Sequence, residues 1–152
     1  MQGHFLNRKI LIRYFAAGLV SSGLQTALMA IKYRLHFLPN FRPYEAIQAQ
    51  LLENFGYLLP TSWLWLFSFV NGALLIGALF GTLYSRLTKI PVWAKGLSIG
   101  FSAWVIVMTI VFPALDYGVF GIASGFGLEP ALFALVMIIT YSVAYGFAYE
   151  RI

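Results

Sequence analysis

The chain has 152 residues, 61% of them apolar and only 10% charged, with a mean hydropathy of +0.81. Soluble domains average about 45–50% apolar and about 25% charged residues, so the composition excludes an ordinary soluble domain and predicts a single domain embedded in the lipid bilayer. The formal charge of +5 gives no case for nucleic-acid binding, because Lys and Arg flank apolar runs as membrane topology requires, and the lack of cysteine excludes disulfides, thiolate metal sites and cysteine nucleophiles.

Arg8, Lys9 and Arg13 open the chain's first apolar run, "YFAAGLVSSGLQTALMA", which has the outline of a signal peptide. Leu28 stands where cleavage would need a small residue, and the run continues to Ile31, so an uncleaved first span is expected over 10–31. The connection that follows, 32–62, is too long for a plain turn. Within it Pro43 marks a helix start and Gly56 a stop. Ile47, Leu51 and Phe55 recur at every fourth position opposite Glu45, Gln48 and Glu53, predicting an amphipathic helix over 43–56. Such a helix lies flat on the outer membrane surface or docks on a neighbouring subunit.

Three further spans are expected at 63–84, 96–115 and 131–148. A span needs about 20 apolar residues, and Arg13, the only charge within any of the four runs, snorkels from the first turn. Without water each run must satisfy its own backbone, so helices are required, and the unbroken apolar pattern argues against a barrel. Pro113 is expected to kink or end the third span, and Glu129 before Pro130 suits the start of the fourth. The predicted fold is all-α, with four transmembrane helices in an antiparallel bundle and one surface helix.

Orientation follows from charge. Arg8, Lys9, Arg13, Arg86, Lys89, Lys95 and Arg151 fall on one side, against Lys32, Arg34 and Arg42 on the other, which places both termini in the cytoplasm and Asn40 and Gly125 outside. The loop "DYGVFGIASGFGLEP" has neither Lys nor Arg, as an outer loop should. Tyr33, Tyr57, Trp63, Trp65, Tyr84, Trp93, Tyr117 and Tyr149 are expected in the aromatic belts, with Trp104 as a packing residue.

Small residues recur within the spans: Gly18, Ser22 and Thr26; Ala73, Gly77 and Gly81; Gly96 and Gly100; Ser142 and Gly146. Lipid is as apolar as leucine, so membrane helices associate by close packing, and these stripes predict faces for packing within the bundle or against a partner. No ionisable residue lies in mid-span. His4 and His36 flank opposite ends of the first span in no metal-ligand spacing and read as interfacial polar residues. Gln25, the deepest amide, is expected to hydrogen-bond across helices. Asp116 and Glu129 read as solvated loop acids. No catalytic residue, metal site or cofactor is therefore predicted.

The second half, "KGLSIGFSAWVIVMTIVFPALDYGVFGIASGFG" with "YSVAYGFAY", resembles a family of uncharacterised small bacterial membrane proteins with four helices. The shared features are Lys95-Gly96, Gly100, Trp104, Pro113, the Gly118–Gly121 turn and Tyr145-Gly146. The resemblance implies a bacterial inner-membrane protein with no assigned reaction. Many members of that family carry histidines where this chain has Ser68 and Ser142, so a metal or haem role does not carry over. Three functions fit: a non-enzymatic accessory or scaffold subunit of a respiratory or photosynthetic type complex, a small homo-oligomeric carrier or channel with Gln25 and Asn71 along its path, and a pigment- or quinone-binding subunit.

Overall fold

The computed structural model describes residues 8–38 and 41–152. They fold into helices joined by loops, with no strand among them. The expectations for His4 and for Asn40 lie outside the described residues. In chain order the helices are α1, Arg8–Arg34; α2, Pro43–Phe55; α3, Thr61–Arg86; α4, Val92–Ala114; and α5, Glu129–Arg151. A short 3-10 segment, Val119–Ser124, lies between α4 and α5.

All except α2 are long and apolar enough to cross a membrane. At 1.5 Å rise per residue even the 23-residue helices α4 and α5 reach roughly 35 Å, more than the hydrocarbon thickness of about 30 Å. Most run a few residues beyond the apolar segments, because helical hydrogen bonding continues into the polar turns. Lys32 and Arg34 close α1, and Glu129 and Arg151 open and close α5, each on the end of the helix dipole it complements.

Both α3 and α4 contain a π turn, at Gly72–Ile76 and Val107–Val111. In α4 the cause is local. Pro113 lacks an N–H and its ring crowds the carbonyl four residues back, that of Thr109 inside the wider turn. In α3 the cause is tertiary. The Tyr141 hydroxyl donates to Gly72 O at 2.6 Å and the Tyr145 hydroxyl to Gly77 O at 2.6 Å, so α5 supplies donors to carbonyls at both ends of the turn.

α1 packs against α3 and α5, and α5 packs in addition against α4. Tyr14 meets Gly81 while Ser22 meets Gly72, so α1 and α3 run antiparallel. α3 and α4, although consecutive, touch sparsely, between the segments on either side of the 87–91 turn. One core cluster joins Ala17, Phe80, Tyr84, Ile99, Tyr141 and Tyr145; a second, of Phe41, Met108, Phe112 and Ala131, lies towards the other end. Trp104 donates to Ala131 O at 2.8 Å beside that second cluster.

One sequence expectation changes. Tyr84 belongs to the core and not to an aromatic belt: it is buried and donates to Ser142 O at 2.5 Å. Arg13 lies against the last turn of α5, donating to Tyr149 O at 2.7 Å with its guanidinium 4.7 Å from the centroid of the Tyr149 ring.

The small residues lie at seams within the chain. A Cβ on Gly18 would collide with the backbone carbonyl of Ala73, and one on Gly81 with the Tyr14 ring. On the α4/α5 side, a Cβ on Gly96 would lie 2.9 Å from Val143 Cα and one on Gly100 3.0 Å from Ser142 Cβ, and between α5 and α3 one on Gly146 would lie 2.8 Å from the Tyr84 ring. Leu19, Phe67, Leu75, Ile110 and Val136 are exposed, so the outward sides of these helices are apolar.

Candidate functional site

Where α3 and α4 part, a cavity of about 300 Å³ forms among α1, α3, α4 and α5, with Phe41 and the first turns of α2 along its edge. Its walls are mainly apolar, with Met29, Val107, Phe112 and Met137 among them. A polar strip interrupts them: Ser22, Gln25 and Thr26 from α1, and Ser68 from α3. Ser68 and Val111 are exposed, so the cavity is open sideways between α3 and α4.

Ser22 is only 2% exposed, yet its hydroxyl has no hydrogen-bond partner. The Tyr141 hydroxyl lies beside it, donating its hydrogen to Gly72 O and keeping lone pairs that the Ser22 hydroxyl can turn towards. A buried polar group left unpaired costs about 1–3 kcal/mol. The side chains of Gln25 and Thr26 also make no hydrogen bond among the described residues. The cross-helix bond expected of Gln25 is therefore absent. Its amide borders the cavity, and no polar group of α3 or α5 bonds to it.

α2 is held at its N-terminal half. The Tyr44 ring packs against that of Trp65 at a tilt, with centroids 4.9 Å apart, and its hydroxyl pairs with Ser68. Burial pushes the Tyr44 hydroxyl above its ordinary pKa, an effect the Ser68 bond partly offsets. Gln48 donates to Leu59 O at 2.6 Å, and Gln50 donates to Asp116 in the loop after α4. In that loop burial raises the Tyr117 hydroxyl pKa, and the nearby Glu45 carboxylate raises it further. Of the predicted apolar row, Ile47 lines the cavity, Leu51 is half-buried and Phe55 is 68% exposed.

A second recess, of about 250 Å³, is lined by Lys32, Tyr33, His36, Phe37 and Arg42. Lys32 is 4% exposed; its ammonium donates to Phe41 O and lies 4.6 Å from the Tyr33 ring centroid and 5.6 Å from that of Phe41. Phe41 thus belongs to both sites, as a wall of the cavity and the carbonyl partner of Lys32. Glu45 stands nearby, accepting from Tyr33 at 3.0 Å and pairing with Arg42 at 3.8 Å.

Among the predicted residues, Ser22 and Ile47 come together at the cavity. Gly18, Ala73, Gly77 and Gly81 form the neighbouring α1/α3 seam, while Gly96, Gly100 and Ser142 form the α4/α5 seam and Gly146 meets Tyr84 of α3 and Val92 of α4. The Ser142 hydroxyl is also buried without a partner, but Ser142 does not line the cavity. Sequence reasoning missed Tyr44, Ser68 as a cavity residue, and the Lys32 recess. One signal was present for the last: Ser22, Gln25, Met29, Lys32 and His36 recur at intervals of three and four. No family model, curated protein or solved structure matches the chain.

Proposed function

We propose that this is a multi-pass membrane protein, an antiparallel four-helix bundle, that binds a lipophilic small molecule entering from the bilayer between α3 and α4. The observation that carries the reading is the Gln25 amide, without a hydrogen-bond partner among the described residues, at the wall of a mainly apolar cavity that is open sideways. A ligand carbonyl or hydroxyl there would supply the missing bond. About 300 Å³ lies at the lower end of the roughly 300–1,000 Å³ of small-molecule sites. That size suits one hydrocarbon chain or one quinone-like ring and is tight for a macrocyclic pigment. The reading includes no reaction.

The charge asymmetry of the loops supports cytoplasmic termini, and the second-half motifs support membership of the small four-helix bacterial family and an inner-membrane location. An accessory-subunit role draws on the exposed Leu52 and Phe55 of α2. It no longer draws on the small-residue stripes, which are occupied within the chain. A channel path through Gln25 and Asn71 lacks its second residue at the cavity, because Asn71 does not line it.

The test is retention of a lipophile through mild-detergent purification, read by native mass spectrometry. The parent should carry an adduct, and Ala134→Phe, which fills the cavity from α5, should lose it. An adduct-free parent, or equal adducts in both proteins, would overturn the reading.

A further inference from the structure

The α1 stripe that borders the cavity continues into the Lys32 recess. Lys32 lies seven residues beyond Gln25, on the same side of the helix and roughly 10 Å further along its axis. The stripe carries the Ser22 hydroxyl, the Gln25 amide, the apolar Met29 and then the Lys32 ammonium, with His36 just past the end of α1.

Lys32 is the unusual member. An ammonium has three donors, and here one goes to Phe41 O while the aromatic rings of Tyr33, Phe41 and Phe133 surround the group at 4.6, 5.6 and 6.0 Å. No carboxylate lies within ion-pair distance of it among the described residues. Burying such a charge costs several kcal/mol unless an anion and further hydrogen bonds compensate. The rings recover part of that, and the recess in front of the ammonium leaves room for an anion. Arg42 and His36 face the same recess. Glu45 counts against a highly charged ligand: Lys32 and Arg42 set against Glu45 leave one net positive charge among these three side chains.

We infer that the recess binds the monoanionic phosphodiester of an amphiphilic lipid whose hydrocarbon chain occupies the cavity, with Gln25 and Ser22 available to a polar group along that chain. This rests on the cavity reading above and names the ligand class for it. Lys32 and Arg42 hold the phosphate oxygens, and Phe41 marks the boundary between headgroup and chain.

The full-length protein in non-ionic detergent would be titrated with dioctanoyl phosphatidylglycerol, with dioctanoylglycerol, and with glycerophosphoglycerol, the same headgroup without chains. Charge-assisted bonds to phosphate should make the phospholipid bind at least about tenfold tighter than the neutral diacylglycerol. Arg42→Gln, at a side chain 59% exposed and outside the packed interior, should abolish that preference while leaving diacylglycerol binding in place. Equal binding of the two lipids, lost in Ala134→Phe, would retain the cavity and overturn the phosphate inference. If glycerophosphoglycerol bound as tightly as the phospholipid, the recess would be a free-phosphate site unconnected to the cavity, and the lipid inference would fall. Binding of none of the three would remove both readings.

Discussion

At Gly18 a hydrogen atom in place of a side chain is what lets α1 touch the backbone of α3, since a Cβ there would collide with the Ala73 carbonyl. Backbone cannot rotate away as a side-chain tip can, so Gly18→Ala must push the helices apart. The expected loss is about 1–3 kcal/mol, read as a lower thermal denaturation midpoint in detergent. Gly23 is the control, because nothing lies within 4 Å of its would-be Cβ. Gly23→Ala should stay within about 0.5 kcal/mol of the parent or gain slightly from helix propensity. Equal midpoints for Gly18→Ala and the parent would mean that the seam opens without cost. The stripe containing Gly18 was legible because small residues have few uses at four-residue spacing in an apolar run. The atoms opposite were not legible, because spacing specifies a face and leaves its partner open.

At the scale of elements, the helices and most of their ends follow from local chemistry: Pro43 and the left-handed Gly56, with φ of 69°, bound α2, and Pro113 stands at the end of α4. The π turn in α3 does not. It takes hydroxyls from Tyr141 and Tyr145, about seventy residues along the chain, to hold the Gly72 and Gly77 carbonyls. α2 divides in a way its even spacing hid. Ile47 lines the cavity while Phe55 is 68% exposed, so the two positions should respond differently to charge. Ile47→Glu places a carboxyl group against apolar walls, and even in its neutral, protonated form an unbonded polar group there costs about 1–3 kcal/mol. It should release α2 and speed proteolysis of 32–62 in detergent solution. Phe55→Glu should leave cleavage near the parent rate. Equal acceleration by both substitutions would mean that α2 docks along its whole length.

For the whole molecule, the arrangement with α1 and α5 at the centre and α3 and α4 splayed at the sides creates the cavity. Orientation can be tested in a chain free of cysteine. Glu53 on α2 and Lys89 in the turn after α3 are both exposed. In intact cells Glu53→Cys should react with a membrane-impermeant maleimide, and Lys89→Cys should react only after permeabilisation. The reverse pattern would invert the topology. Reaction of both in intact cells would refute the assignment of opposite sides.

The sequence by itself determined the helical class, the four long apolar helices, the short helix α2 and the small-residue faces, because each depends on hydropathy, period or a local backbone preference. It did not determine which face meets which. Tyr84 reads equally well as a belt residue or a core residue until α5 is placed beside it. Lys32 reads as a topology signal until Phe41 and Phe133 close around it. The cavity was invisible for the same reason. It is a space left where α3 and α4 fail to meet, so it belongs to no segment of sequence, and only the three-dimensional packing of α1 and α5 between them decides that it exists.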